Sequence, residues 1–192
     1  MLQGRLFIGG TAERGNREKA IAILLKIWVT LPRELTLFGD DGLARLNRLP
    51  LTLHLAVHWG MTIAVYPFVG VVPEAVGRLL RLQGLCATAQ VQRWVREQLG
   101  ERETVARAAR RVLRCFIDWG VLQETNEKGV YQAVPVRSAT GKKLAAWLIE
   151  ATLLAIGSHV APLKAVTQTP MLFPFSIGPL GMGDSEGHNR LE

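Results

Sequence analysis

Residues 49–73 contain no aspartate, glutamate, lysine or arginine, and an uncharged run of 25 residues has to be buried, either in a bilayer or in a protein core. The run is long enough to cross a membrane as a helix. His54, His58, Gly60 and Pro67 interrupt it, and each polar group inside a span costs about one to a few kcal/mol. We therefore expect a central helix buried in a water-soluble fold, with a membrane-associated helical protein as the alternative.

The composition fits a globular protein of 192 residues, because 48% of them are hydrophobic and 20% are charged. That length suits one well-packed domain or two small domains that share a core. Cys86 and Cys115 are the only cysteines, which excludes a disulfide framework and a four-cysteine zinc site. The N-terminus lacks the apolar run and the small-residue cleavage site of a signal peptide. We predict a reducing, cytoplasmic compartment.

Helix caps, apolar spacing and breaks at proline and glycine predict a mainly α-helical fold. Besides the buried run, the predicted helices cover residues 16–31, 40–46, 73–83, 88–99, 103–119 and 142–156. Pro73 is expected to open the helix that ends before Gly84. Residues 121–125 and 130–134 are predicted to be two short strands around a hairpin loop, in which Gly129 is free to take a positive φ.

Basic charge is concentrated in one segment of the chain. The formal net charge is +7, and residues 78–114 hold nine arginines against three acidic residues, which gives +6 in that segment alone. A basic patch on an otherwise near-neutral protein is typical of a nucleic-acid-binding element. A solvated, arginine-rich helix face is the alternative interpretation.

The predicted helix 103–119 has two different sides. On a helical wheel, the residues expected to face the core lie within about 60° of one another: Val105, Ala109, Val112 and Phe116. Four arginines lie together on the opposite side: Arg107, Arg110, Arg111 and Arg114. Like charges on one helix face repel by roughly a few tenths of a kcal/mol per pair. A helix selected only for stability would interleave glutamates among the arginines, and this face is expected to have none. The pattern therefore predicts one side for a core and one for an anion.

Residues 73–135 place two helices, a tight turn, a third helix and a hairpin in that order. The sequence Glu103-Thr104-Val105-Ala106-Arg107 opens the third helix, and Trp119-Gly120-Val121-Leu122 leads into the hairpin. This order and these motifs resemble the winged helix-turn-helix domain of many prokaryotic regulators. The resemblance implies that the third helix enters the DNA major groove, while the hairpin, or wing, contacts phosphate or the minor groove. The wing departs from the pattern, because Lys128 is its only basic residue, beside Glu124 and Glu127.

Winged-helix regulators commonly add terminal helices that build a dimer interface. By this resemblance the chain has a helical N-terminal unit (1–72), the winged helix-turn-helix (73–135), and a C-terminal helix and apolar tail packing on the N-terminal unit (136–180). Residues 181–192 are polar and glycine-rich, which predicts a flexible tail. The resemblance implies that helices 16–31 and 142–156 pack together. It also allows a homodimer in which they meet across a two-fold axis.

These observations predict a non-enzymatic protein that binds double-stranded DNA, as a transcription regulator or as the DNA-binding subunit of a larger protein complex, such as one for phage defence. Arg102, Glu103 and Thr104, in the first turn of the third helix, are expected to read base edges. The full set of residues expected to contact nucleic acid is Arg93, Arg96, Arg102, Glu103, Thr104, Arg107, Arg110, Arg111, Arg114 and Lys128.

No pattern predicts a catalytic, metal or cofactor site. His54 and His58 have the spacing of zinc ligands on a helix, but no glutamate lies between them to act as a base. Gly9-Gly10-Thr11 lacks the lysine and the further glycines of a phosphate loop. The main alternative function is a protein-interaction or scaffold module built on a winged helix. A membrane-associated helical protein is the third hypothesis, and an enzyme is the last.

Overall fold

The structure is a computed structural model, and it describes residues 14–134, 137–138, 141–158 and 160–177. Its helices are α1 (Arg14–Trp28), α2 (Thr36–Arg48), α3 (Leu51–Val65), α4 (Pro67–Gln83), α5 (Thr88–Leu99), α6 (Glu103–Asp118), α7 (Lys142–Ile156) and α8 (Leu163–Thr167). The strands are β1 (Leu85–Ala87), β2 (Leu122–Glu124), β3 (Val130–Ala133), β4 (Arg137–Ser138) and β5 (Phe175–Ser176). Single turns of 3-10 helix cover Arg33–Leu35 and Pro170–Leu172. The predicted tail 181–192 and the glycines near the N-terminus lie outside the described residues.

The mainly α-helical fold class is confirmed, with a small antiparallel sheet beside the helices. Helices α5, α6 and α7 lie where caps and apolar spacing placed them, to within one residue. Helix α1 ends three residues before the predicted bound, and α2 is longer at both ends than the predicted 40–46.

Helix α4 corrects the prediction that Pro73 opens a helix. The helix begins at Pro67, where the missing proline N–H would have no helical partner anyway, and Pro73 lies buried inside it. A proline inside a helix removes one backbone hydrogen bond, and the burial of its ring against the core offsets part of that loss. The boundary predicted between residues 72 and 73 therefore falls in the middle of a helix, and the two units share it.

The sheet has three strands where the sequence predicted two. Strand β3 lies in the middle of the order β1-β3-β2, and both of its pairings are antiparallel. The hairpin β2–β3 matches the predicted wing, and Gly129 in its loop has the expected positive φ of 79°. Strand β1 is only three residues long, too short to show an alternating pattern in the sequence.

The uncharged run forms α3 and the first turns of α4, and α3 lies in the core as predicted. Trp59 and Met61 of α3 are almost fully buried, and Trp147 of α7 belongs to the same hydrophobic core. The Trp147 ring stacks on Phe38 with a centroid distance of 4.5 Å. A Cβ at Gly60 would overlap that ring, so glycine is what lets α7 approach α3 so closely. None of the described helices is both long and apolar enough to span a bilayer.

Helices α7 and α1 differ in how much surface they leave open. Residues 144–152 of α7 are all buried within the chain, whereas α1 keeps Ile23, Leu24 and Leu25 exposed, and Val29 just after its end is exposed as well. Helix α7 packs against α3 and leaves little surface for a second copy of the chain. The homodimer through both helices stays a prediction; α1 exposes several of the apolar residues that it needs, whereas α7 exposes Ile156 at its end.

Candidate nucleic-acid interface

A short turn fixes the angle between α5 and α6. Gly100 has a φ of 96°, which an L side chain rarely adopts, and Arg102 N donates to the Gly100 oxygen at 2.8 Å. Gln92 Nε2 of α5 donates to the Ala106 oxygen of α6 at 3.0 Å. Val95 of α5 is fully buried where the two helices pack. The joint therefore holds α6 in one orientation, with one side against the core.

The buried side of α6 is rotated slightly from the predicted one. The buried residues are Ala106, Ala109, Leu113 and Phe116. Val105 and Val112, which were predicted to face the core, are only half-buried at its edge. Leu113 directly precedes Arg114 in the sequence, and its burial depends on where α5 packs, which local spacing does not reveal.

The arginine side of α6 faces outward. Arg107, Arg110 and Arg114 expose between 54% and 67% of their side chains, and Arg111 is exposed as well. All four were expected to lie on one side of the helix, away from the core. Thr104 is exposed in the first turn, and Arg102 immediately precedes that turn.

Acidic residues neutralise part of this side, contrary to the prediction of an arginine face without interleaved glutamates. Glu103 Oε1 accepts a hydrogen bond from Arg110 Nη2 at 3.3 Å and lies 3.7 Å from Arg107 Nε. One carboxylate therefore serves two arginines one and two turns further along α6. Glu103 was expected to read a base edge, and in this structure its oxygen is directed at its own helix.

Arg114 is paired at the other end of α6. Its Nε lies 3.4 Å from Asp118 Oδ1, and its Nη1 lies 3.9 Å from Glu124 Oε1 of β2. Glu74 of α4 forms a similar pair with Arg78 at 3.6 Å. These three acids flank the basic segment, so a count over residues 74–124 gives a net charge of +3 in place of +6. The acids that pair with Arg78 and Arg114 thus lower the net positive charge around the basic segment below the value counted for residues 78–114.

The remaining predicted contact residues are spread over α5 and the wing. Arg96 lies 3.7 Å from Glu101 in the α5–α6 turn. Within the described part of the chain, Arg93, Arg102, Arg111 and Lys128 form no ion pair. No hydrogen bond or ion pair between described residues joins Arg93 or Lys128 to α6, so the structure does not bring the ten predicted residues into one connected cluster.

The wing loop is attached to the start of α5. Thr88 N and Thr88 Oγ1 both donate to the Gly129 oxygen, at 2.8 and 3.1 Å. Thr125 Oγ1 donates to the Val130 oxygen at 3.0 Å and closes the loop. Lys128 is exposed in this loop. The contacts of Thr88 fix the loop, and with it the backbone that carries Lys128, relative to α5.

The histidines of α3 have other contacts within the described part of the chain. His54 Nε2 lies 2.9 Å from the Leu49 oxygen, and the His58 ring meets Trp28 edge-on. Desolvation, with a smaller contribution from His54, lowers the pKa of His58. Among the described residues, no three histidine, cysteine, aspartate or glutamate side chains come together as ligands would. Both cysteines are free thiols.

Comparison of the chain with protein families, with curated proteins and with solved structures finds no match. The function therefore has to be argued from the geometry and charge of α5, α6 and the wing.

Proposed function

We propose that this protein is non-enzymatic and binds double-stranded DNA with the exposed arginines of α6. The observation that carries the proposal is the division of α6 into two sides. Its apolar side is buried against the core, and four arginines lie exposed on the other. Guanidinium groups fork onto phosphate oxygens and onto guanine edges, so such a side suits the DNA major groove.

The order of elements around α6 supports a winged helix-turn-helix. Helices α5 and α6 meet at a three-residue turn, and the antiparallel hairpin β2–β3 follows directly. In this proposal α6 is the recognition helix. By this proposal Arg102 and Thr104, at its start, would reach base edges, while Arg110 and Arg114, further along it, would contact phosphates.

The ion pairs of α6 are compatible with this role. Glu103, Asp118 and Glu124 are all exposed, and exposed pairs contribute only about 0–1 kcal/mol each. A phosphate can therefore replace a carboxylate as the partner of Arg110 or Arg114 at little cost. We propose a cytoplasmic location. A transcription regulator and a DNA-holding subunit of a larger complex would both use the interface in this way.

A salt titration of DNA binding tests the proposal. Fluorescence anisotropy on random duplex DNA should show an affinity whose logarithm falls with the logarithm of salt concentration by about 0.9 per phosphate contact. The Arg110→Ala/Arg114→Ala variant should bind all duplexes more weakly and lower that slope by about two. The matched control is Arg33→Ala/Arg48→Ala, which removes the same charge from exposed positions in and before α2.

The neutralising acids favour a second candidate, a protein-interaction module. A surface that carries Glu103 among its arginines suits a partner protein with charges of both signs better than it suits a polyanion. Equal DNA affinity of the wild type and the Arg110→Ala/Arg114→Ala variant at low salt would reject DNA binding by α6. The interaction module would then be the better proposal.

A further inference from the structure

An apolar cavity of about 680 Å³ lies beside α6, between that helix and α1, α3 and α4. Its walls include Leu24 and Trp28 of α1, Leu55 of α3, and Val112 and Phe116 of α6. The volume falls in the range of about 300–1,000 Å³ that is usual for small-molecule sites, which also are mostly apolar with a few polar groups.

The α1 wall of this cavity is incompletely covered by the chain. Ile23 and Leu24 line the cavity and are 48% and 43% exposed. Apolar surface that stays in contact with water forgoes the stabilisation that burial would give. An apolar occupant would cover these side chains and gain that contribution.

Only one side chain on the cavity wall carries a charge. Desolvation lowers the pKa of His58 and raises the pKa of the Cys115 thiol, and nearby Asp118 raises the latter further, so both groups are neutral at pH 7. The charged exception is Arg111. Since Arg111 is exposed and also lines the cavity, it belongs to the opening and not to the floor.

Arg111 also differs from the other three arginines of α6. Those three are paired with Glu103, Asp118 or Glu124, whereas Arg111 forms no ion pair with any described residue. On the helical wheel it lies at the border between the arginine side and the cavity side. A single unpaired guanidinium at the mouth of an apolar cavity is complementary to a molecule with one anionic group and an apolar body.

We propose that this cavity binds a small amphipathic anion, whose apolar chain or ring lies between α1 and α6 and whose carboxylate pairs with Arg111. The binding itself does not depend on the DNA-binding proposal. Its consequence for regulation does rest on that proposal: an occupant that holds Arg111 would compete with DNA phosphates for the same guanidinium, so ligand and DNA would weaken each other's binding.

Two probes that differ only in the head group test the site without DNA. Isothermal titration of the full chain with dodecanoate and with 1-dodecanol should show binding of both, with dodecanoate about tenfold tighter because of the charged pair. Dodecanoate should also slow the alkylation of Cys115, which lines the cavity, by N-ethylmaleimide. Cys86 is fully buried in β1 and should stay unmodified throughout, as an internal control.

Variants separate the head group from the cavity. Arg111→Ala should reduce dodecanoate affinity about tenfold, to the level of dodecanol, and leave dodecanol unchanged. The matched control Arg48→Ala removes an exposed arginine of α2 that does not line the cavity, and it should change neither. Leu24→Trp should narrow the cavity and weaken both probes, with a melting curve to show that the variant is folded.

Several results would overturn the proposal. If dodecanoate binds no more tightly than dodecanol, or if Arg111→Ala leaves dodecanoate affinity intact, the cavity has no anion site. If neither probe binds, the cavity is not a site for an amphipathic molecule and the proposal is wrong. If both probes bind as expected and DNA does not, the ligand site stands and the DNA-binding proposal fails alone.

Discussion

Helices α6 and α7 have nearly the same length, 16 and 15 residues, but the rest of the chain covers them very differently. Helix α7 is buried on every side from Leu144 to Thr152. The charged residue Glu150 is buried as well, with only 7% of its surface exposed. Helix α6 buries one stripe and leaves its arginines in water. The exposed side of α6 does not contribute to the core, so it can carry charged residues that bind a partner. Stability should therefore depend on α7, and binding on α6.

The largest effect is expected for Trp147→Ala in α7. The indole is fully buried, stacks on Phe38 and fits against Gly60, so its removal leaves a cavity that rigid neighbours cannot fill. We expect a loss of about 3–5 kcal/mol in the free energy of unfolding, as for other core aromatic truncations. Urea denaturation followed by circular dichroism measures it. A loss below about 1 kcal/mol would show that α7 is not the packed centre of the fold.

The next prediction concerns the orientation of α6 and compares two neighbours. Leu113 is 2% exposed, whereas Val112 is half-buried at the edge of the core. Leu113→Ala should cost about 2–4 kcal/mol of unfolding free energy, and Val112→Ala about 1 kcal/mol or less. The helical wheel drawn from the sequence puts Val112 in the core and leaves Leu113 out, so it predicts the larger loss for Val112→Ala. The same urea denaturation therefore decides which side of α6 is buried.

Local signals in the sequence located most elements correctly. Proline, glycine and apolar spacing placed α5, α6 and α7, because a helix end and a helix face each depend on residues close together in the chain. Pro73 was misread for a related reason. A proline is compatible with a helix start and with a buried helix interior, and only the packing of α4 distinguishes them.

Features that depend on distant parts of the chain were missed. Strand β1 exists because Leu85–Ala87 pairs with Val130–Gln132, more than 40 residues away. Glu124 reaches Arg114 only because β2 folds back along α6. The cavity needs four helices to close its walls. The arginine side was predictable from one helix, but its net charge and its neighbouring cavity were not.

The smallest change in stability is expected for Glu103→Gln. The same variant also tests the proposed function directly. Glu103 is 65% exposed and pairs with Arg107 and Arg110. Its replacement should change the free energy of unfolding by less than about 1 kcal/mol, since exposed pairs and helix-end charges contribute little. Affinity for duplex DNA should rise about threefold on all sequences, because two arginines lose a competing carboxylate.

The control for Glu103→Gln is Glu34→Gln, which makes the same charge change at an exposed position in the 3-10 turn before α2. If both variants raise affinity equally, only net charge matters and the carboxylate at the start of α6 has no local role. If Glu103→Gln lowers affinity for one preferred sequence and leaves others unchanged, Glu103 reads a base edge, and its pairing with Arg107 and Arg110 is released on DNA. Anisotropy titrations at two salt concentrations distinguish these results, since loss of base reading does not alter the salt slope whereas a change in phosphate contacts does.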